Sequence, residues 1–386
     1  MKYTPRILLA MEQSRGFGRG QLRGITNYAR SHGPWMFLTK HESYHGGSDS
    51  PPLEKGTLEG AIIREPRPRE LRKLLNLGIP LVVSNHWTTH PPCPHVITDC
   101  QAVGQMGATH FLNSGFRRFA FCGTGDLFWS KRRCQSFVEA LAKAGFGTHV
   151  YKPPARKKDR LWNREQPILA DWLASLPKPL GLMACTDDRA FDVEEACEVA
   201  GIKVPEEVAI LGVDNDELVC EMAPVPISSV GLNLEQAGYE AAGLLHRLMQ
   251  GKIPDRQEIL IRPTHITERR STDILAVEDP VVAKAMRFIN THANQPLQVG
   301  DVAQDAGVSH RSLFDRFQKA LGRTVFEEIT RVRIGKVGWL LETTHLSTKE
   351  IAEIMGMPDE RHLSRYFQGQ KGMSPIAWRK QQARVQ

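Results

Sequence analysis

Short apolar runs recur along roughly the first 270 positions, and a stretch with helical spacing stands between most of them. The runs lie at 7–11, 60–63, 79–83, 119–122, 181–184 and 208–213, and the helix-period stretches at 101–113, 133–144, 188–200 and 234–249. Brief apolar runs bounded by turn residues read as buried strands. Strands alternating with helices predict parallel sheets with helices on both faces. Some 270 residues exceed one ordinary doubly wound sheet, so the pattern predicts two lobes. Gly16, Gly18 and Gly20 follow the first run, and read as a turn ahead of a helix through Leu22, Ile25 and Tyr28.

After a polar, charged stretch at 268–273 the pattern changes. Asp279 followed by Pro280 reads as a helix start, the acid as cap and the proline in the first turn. Strand runs then cease and short helices take over. This end holds an internal repeat. Ala303, Gly307, Leu313, Phe317 and Gly322 of the first copy correspond to Ala352, Gly356, Leu363, Phe367 and Gly372 of the second. The first two pairs are offset by 49 positions and the last three by 50. Each copy has the parts of a helix-turn-helix: a small residue for close crossing, a glycine for the turn, and a cap, Ser309 or Asp359, opening the second helix. The motifs are placed at 299–320 and 348–370. Their outward positions are Arg311, Ser312, Phe314, Asp315 and Gln318 in the first and Arg361, His362, Ser364, Arg365 and Gln368 in the second, side chains suited to base edges and phosphates of a major groove.

Charge agrees with this division. The chain carries a net +7, and residues 279–386, with 16 Lys and Arg against 11 Asp and Glu, hold +5 of it. A basic small domain beside a near-neutral large one suits a polyanionic partner.

The C-terminal region resembles the AraC/XylS family of transcription regulators, most specifically over 361–375 with Phe367, Gly372, Ser374 and Pro375. The resemblance implies two helix-turn-helix units joined by a long helix near 325–342, two adjacent major grooves of DNA per subunit, and RNA polymerase as a contact of an activator. The larger region resembles the sensor domain of LacI/GalR regulators, relatives of periplasmic sugar-binding proteins. Thr98-Asp99, Arg133 with Phe137, Cys185-Thr186-Asp187, Ser228-Ser229-Val230 and above all 201–215, ending Gly212-Val213-Asp214-Asn215, carry that likeness. It departs from that family in where DNA binding sits: here the reader is at the other end.

Together the two resemblances imply an α/β two-lobed, periplasmic-binding-protein-like domain of two doubly wound parallel sheets over 1–272. Lobe 1 is expected at about 5–117 and 234–256, and lobe 2 at about 118–233 and 257–272. A linker at 273–279 and an all-α DNA-binding domain at 280–386 follow. A sugar cleft between the lobes needs paired donors and acceptors and an apolar face. By resemblance Arg133 and Asp214 supply the former, and Thr186 and Asp187 stand at a strand end facing the cleft. Phe17 and Arg19 are placed there by the end of the first strand, and Trp129 and Trp87 are candidate stacking platforms. The junction at 266–273 resembles that of regulators joining these two families, which makes D-xylose or a related pentose the expected effector and a homodimer the expected assembly.

Other functions fit less well. Gly16-Phe17-Gly18-Arg19-Gly20 is similar to a dinucleotide loop, but Gln21 stands where the last glycine belongs, which counts against an NAD-dependent oxidoreductase. A transport-type sugar-binding protein would share the two lobes but not the basic domain. The chain reads as cytoplasmic, with no secretory leader or membrane helix, and as a non-enzyme without cofactor or metal. Its seven cysteines are scattered, with no CxxC, and read as plain thiols. The pairs His41/His45 and His86/His90 read as surface histidines.

Overall fold

The computed structural model of the chain describes residues 4–39, 41–42, 48–49, 56–66, 68–84, 93–252, 257–274, 276–277, 279–344 and 346–383. It falls into two compact units, the first made of Met1–Ala108, Phe119–Leu176 and Leu182–Thr272, the second of Thr109–Arg118, Pro177–Gly181 and Asp273–Gln386. None of the helices among the described residues is long and apolar enough to cross a membrane.

Two six-stranded sheets form the α/β region. The first takes β1 (Arg6–Ala10), β2 (Met36–Thr39), β5 (Gly60–Arg64), β6 (Leu81–Ser84), β7 (His95–Thr98) and β13 (Glu258–Ile261), in the order β13-β7-β6-β5-β1-β2. The pairing along it is parallel, with Leu8 opposite Ala61 and Leu38 and Ile62 opposite Val82. The second takes β8 (Phe119–Cys122), β9 (His149–Val150), β10 (Leu180–Ala184), β11 (Val208–Asp214), β12 (Ser228–Leu232) and β14 (Pro263–Thr267), in the order β14-β12-β11-β10-β8-β9, with β14 antiparallel to β12. A small hairpin pairs β3 (His41–Glu42) with β4 (Ser48–Asp49). The chain passes between the two large sheets three times, after β7, after β12 and after β13.

The helices of this region are α1 (Gly16–His32), α2 (Pro68–Asn76), α3 (Cys100–Asn113), α4 (Phe128–Lys143), α5 (Trp162–Ser175), α6 (Asp187–Val199), α7 (Glu217–Met222) and α8 (Leu234–Met249). Small residues decide which helices can approach which partners. A Cβ on Gly24 would lie 1.8 Å from Glu235 O, and one on Gly238 2.1 Å from Gln21 O, so α1 and α8 meet backbone to backbone.

Two lobe boundaries differ from expectation. Helix α3 packs on the second sheet's side, because Gly104 leaves room for Ser136 and Phe137 and Gly107 for Met183 and Leu211. Lobe 1 therefore ends near β7 rather than at 117. Strand β13 pairs with β7 and belongs to the first sheet, so the last crossing falls between Ile261 and Pro263 rather than at 257. The glycine-rich stretch is likewise no turn. Helix α1 begins at Gly16, and Gly18 and Gly20 sit in its first turns, against Glu12 O and Leu234.

The C-terminal region is helical: α9 (Pro280–Thr291), α10 (Val299–Ala306), α11 (His310–Leu321), α12 (Val325–Thr343), α13 (Thr348–Ile354), α14 (Glu360–Lys371) and α15 (Pro375–Ala383). The caps stand where the sequence puts them. Asp279 accepts from the Val281 and Val282 amides, Ser309 from Ser312 and Asp359 from His362. Gly307 and Gly356 turn the chain at φ 73° and 59°, which only glycine adopts without strain. Leu313, Phe317, Leu363 and Phe367 are fully buried.

Gly24→Val puts three carbons where α8 backbone already stands. The expected result is a loss of about 1–3 kcal/mol in urea unfolding of the α/β region, the usual size of an overpacked contact.

Candidate functional site

The carboxyl ends of parallel strands gather the site, as they do in open α/β sheets generally. Strand β5 ends at Arg64, β8 leads through Thr124 and Leu127 into α4 with Trp129 and Arg133, β10 leads into α6 with Thr186, Asp188, Arg189 and Asp192, and β11 ends at Asp214. Arg15, Phe17, Pro153, Arg160 and Glu165 complete a cavity of about 360 Å³. It lies within the first unit.

Arg133 is its deepest charge, 2% exposed. One guanidinium nitrogen donates to Cys185 O, another lies 3.5 Å from Asp214 Oδ1, and the plane sits 5.1 Å from the Trp129 ring centre. Burial pushes the Asp214 carboxyl up to about 6, against the pull of Arg133 and Arg64. Asp214 and Asn215 hold φ of 107° and 49°, and Glu65, beyond the end of β5, holds 44°. Non-glycine residues at positive φ store strain, and they collect at functional sites.

The lining charges are matched. Arg15 pairs with Asp188 at 3.2 Å, and Arg189 with Glu165 at 2.6 Å and Asp192 at 3.0 Å. Arg160 pairs with Asp126, and Arg64 with Glu12 while its guanidinium lies 4.3 Å over the Phe17 ring. Thr124 Oγ1 and the Nε atoms of Arg64, Arg133 and Arg189 are buried without a hydrogen-bond partner among the described residues. Paired charges, apolar rings and spare polar atoms suit a neutral, hydroxyl-rich ligand better than an anion, which would call for unpaired cations.

Several contacts tie the first lobe to the second. Trp129 Nε1 donates to Glu65 Oε1 at 2.9 Å, Arg15 meets Asp188, and Asp216 accepts from the Gly16 amide at 2.5 Å and from Arg19 at 2.6 Å. Helix α1 has no side-chain cap of its own. Asp216, a carboxylate of the other lobe, takes that place at the positive end of the helix.

Of the cleft residues named from sequence, Arg133, Asp214, Thr186, Phe17 and Trp129 line the cavity. Arg19 does not. It turns to Asp216 and borders a separate open groove with Gln13, Leu22, Arg23 and Arg30. Asp187 does not either. It is 2% exposed, accepting from Ser229 Oγ at 2.5 Å and the Asp216 amide at 2.7 Å, and that burial pushes its carboxyl well up. Thr186 caps α6. Trp87 lies outside the described residues, as do His45, His86 and His90. The sequence reading missed Arg15, Arg64, Arg160, Glu165, Asp188, Arg189 and Asp192. Arg64 could have been found by extending the strand at 60–63 by one residue.

In the C-terminal region Arg311, Phe314, Asp315, Gln318, Arg361, His362, Arg365 and Gln368 are exposed on α11 and α14, with Ser312 and Ser364 half-buried beside them. Arg316 is also exposed but is held by Asp279 at 2.6 Å.

A family model described as a periplasmic binding protein-like domain matches residues 108–272, and a helix-turn-helix domain model matches 302–381. The chain is 31% identical to the xylose operon regulatory protein of Haemophilus influenzae over 97% of its own length and 98% of that protein's. It is 30% identical to the protein of the same name from Escherichia coli K12, over 97% and 96%. Among solved structures, that of the xylose-binding transcription activator XylR matches with TM-score 0.61 and 29% identity over 98% of each chain. The complex of the transcriptional regulator CelR with cellobiose, at 20% identity and TM-score 0.55 over 69% of this chain and 84% of that one, shares the fold.

Asp216→Ala removes the distant cap of α1. Amide exchange at 16–19 should speed up about tenfold, the equivalent of roughly 1–2 kcal/mol for a lost charged cap. Exchange at the wild-type rate would mean that the Asp216 contact does not hold the helix start.

Proposed function

The chain belongs to the family of xylose operon regulatory proteins, and from that membership we propose that it is a transcription activator that binds D-xylose, or a closely related pentose, in the cavity between its two lobes. The observation that carries the reading is the union of two devices in one chain: a charge-matched, ring-walled cleft around Arg133 and Asp214, and a basic region with two copies of a helix-turn-helix. Neither an oxidoreductase nor a transport protein accounts for the second.

On this reading Arg133 donates and Asp214 accepts at neighbouring hydroxyls, with Trp129 and Phe17 offering apolar faces to the ring. Arg64, Arg189 and Asp192 are within the same cavity and contribute further hydrogen bonds. Arg311 and Gln318 on α11, and Arg361, Arg365 and Gln368 on α14, face bases or phosphates of successive major grooves. Phe314 reaches a thymine methyl, and Asp315 selects against close phosphate. Sugar stabilises one arrangement of the lobes over another, and its differential affinity for the two biases how a homodimer presents its readers to DNA and RNA polymerase. The protein works in the cytoplasm, needs no cofactor or metal, and catalyses nothing.

A thermal-shift series with pentoses and hexoses tests the effector. At a hundred times its Kd a true ligand adds about 2.7 kcal/mol of stability. A shift with xylose and none with glucose supports the reading, and no shift with any pentose defeats it.

Arg133→Ala should weaken xylose binding at least a hundredfold, because it strands Asp214 in a buried site, while DNA binding without sugar stays as it was. Arg361→Ala or Arg365→Ala should reverse that pattern, sparing sugar affinity and weakening DNA binding. Calorimetry and gel shift on the same preparations separate the two, and equal loss of both functions in either variant contradicts the division of labour.

The raised Asp214 carboxyl gives a pH dependence. The acceptor is the charged form, so sugar affinity should hold above pH 7 and drop as pH falls through about 6, by up to tenfold per unit. The effect on folding has the opposite sign. A carboxyl raised above its ordinary 3.8 binds its proton more tightly in the folded chain, so its burial costs less stability as pH falls from about 6 toward 4. Titration calorimetry between pH 5 and 8 should show the first trend, and its absence would remove Asp214 from the hydroxyl contacts.

A further inference from the structure

Helix α12 carries two separate hydrophobic cores. Val282, Met286, Ile289, Leu313, Phe317 and Ile329 belong to the first, and Ile334, Val337, Leu341, Ile351, Leu363 and Phe367 to the second. The first fixes α11 to one end of α12, and the second fixes α14 to the other. Apolar packing is non-directional and tolerates small rolls and slides. It does not by itself hold one motif at a set angle to the next.

Arg333 stands between the two cores. It is 7% exposed, so it does not reach DNA. One guanidinium nitrogen donates to Ala293 O at 3.0 Å and also to Gln295 O, on the loop that follows α9 in the first half. The other donates to Met355 O at 2.7 Å, in the turn of the second motif. The same loop and turn meet again at Gly356. A Cβ there would lie 2.9 Å from Asn294 O and 2.9 Å from Pro296 Cδ, and φ is +59°. A planar guanidinium with fixed donor directions thus bolts carbonyls of one half to a carbonyl of the other.

We propose that Arg333 sets the phase between the two recognition helices, and so the spacing of the DNA half-sites that the chain reads. The proposal rests on the two-groove reading above. It makes Arg333 a positioning residue: a fixed angle lets α11 and α14 bind as one unit, where a loose joint would forfeit the gain from linked binding, which is typically 10²–10⁴-fold.

The test uses full-length protein and a duplex selected by the wild-type chain from random sequence. Three derivatives are made: one half-site scrambled, the other scrambled, and one base pair inserted between the halves, a shift of about 3.4 Å. Arg333→Met and, independently, Gly356→Ala are compared with wild type by gel shift. Each variant should lose about a hundredfold on the intact site, approaching the half-scrambled affinity, which should not change. The inserted base pair should weaken wild type and leave the variants nearly indifferent, and the salt slope on the intact site should fall toward half. Xylose affinity should stay at the wild-type value. A purely structural role would not erase the spacing preference while sparing half-site binding.

Variants that keep wild-type affinity and spacing preference overturn the proposal. So does a folded variant that loses half-site binding as well. If Arg333→Met fails to fold, Gly356→Ala decides alone, by the same two outcomes. A wild-type chain indifferent to scrambling either half refutes the two-groove reading, and the phase-setting role of Arg333 with it. A wild-type chain that needs both halves, but whose variants keep the spacing preference, refutes only the assignment to Arg333.

Discussion

The α/β region is organised around a guanidinium taken almost wholly out of water. Burying an isolated charge costs several kcal/mol, and it persists only where partners stand ready. Arg133 finds them in Cys185 O, in Asp214 and in the Trp129 ring. Trp129 stands one turn back on α4, but Cys185 and Asp214 stand at the ends of β10 and β11, so the arginine needs α4 set against both strands to be tolerated at all. Asp214 contributes at a cost of its own, since it sits at φ 107° and its carboxyl is raised by burial. Such an arrangement is poorly suited to a merely structural role, for an apolar core of the same volume would be as stable or more so.

The C-terminal region solves a different problem with different means. Its caps are local, its turns use glycine at positive φ, and its cores are plain leucine, isoleucine and phenylalanine. Buried charge appears there too, at Glu328, held by Arg323 at 2.5 Å and Arg331 at 2.6 Å within the same helix or just before it, and at Arg333, held by backbone carbonyls. Among the described residues of this region, positive φ occurs at glycine alone. That fits a part that must present the same surface repeatedly.

How far the chain could be read without coordinates follows from this contrast. Both helix-turn-helix motifs and their caps were legible, because each signal is local: a cap, a glycine and two apolar residues one turn apart. Arg133 and Asp214 were legible by resemblance. Thr186, Phe17 and Trp129 were also placed at the cleft, but Arg15, Arg64, Arg160, Glu165, Asp188, Arg189 and Asp192 were not, since they come from separate elements and meet only after two sheets form. Asp187 and Asp188 show the limit. They are neighbours, yet one rotation of about 100° along α6 sends the first beneath the strand ends and the second to the cavity wall. Arg19 was misplaced for a related reason. Read as part of a turn it would face the cleft, but Gly16 already begins the helix, and Arg19 lies nearly a turn further round. The lobe boundary at 117 failed because Gly104 and Gly107 gave α3 a flat face, and which sheet a flat face suits is not written in its own residues.

The matched charges of the cleft bear on how a neutral sugar could work a switch. Hydroxyls entering such a site compete with partners already in place, so much of the interaction is exchanged rather than added. What remains is the difference between two arrangements of the same groups, and that difference is what biases a conformational equilibrium. Arg15 with Asp188 and Trp129 with Glu65 are the places where exchange and lobe contact coincide, because Arg15, Asp188 and Trp129 line the cavity and each pair also bridges the lobes. A ligand that draws on those side chains changes the lobe contacts directly, with no need for a relay. Asp216 is set apart: it bridges the lobes without lining the cavity. On the proposed reading, the balance between the bridges that line the cavity and the one that does not sets how strongly sugar shifts the lobes, and both kinds are built from residues at the mouths of strands rather than in the cores.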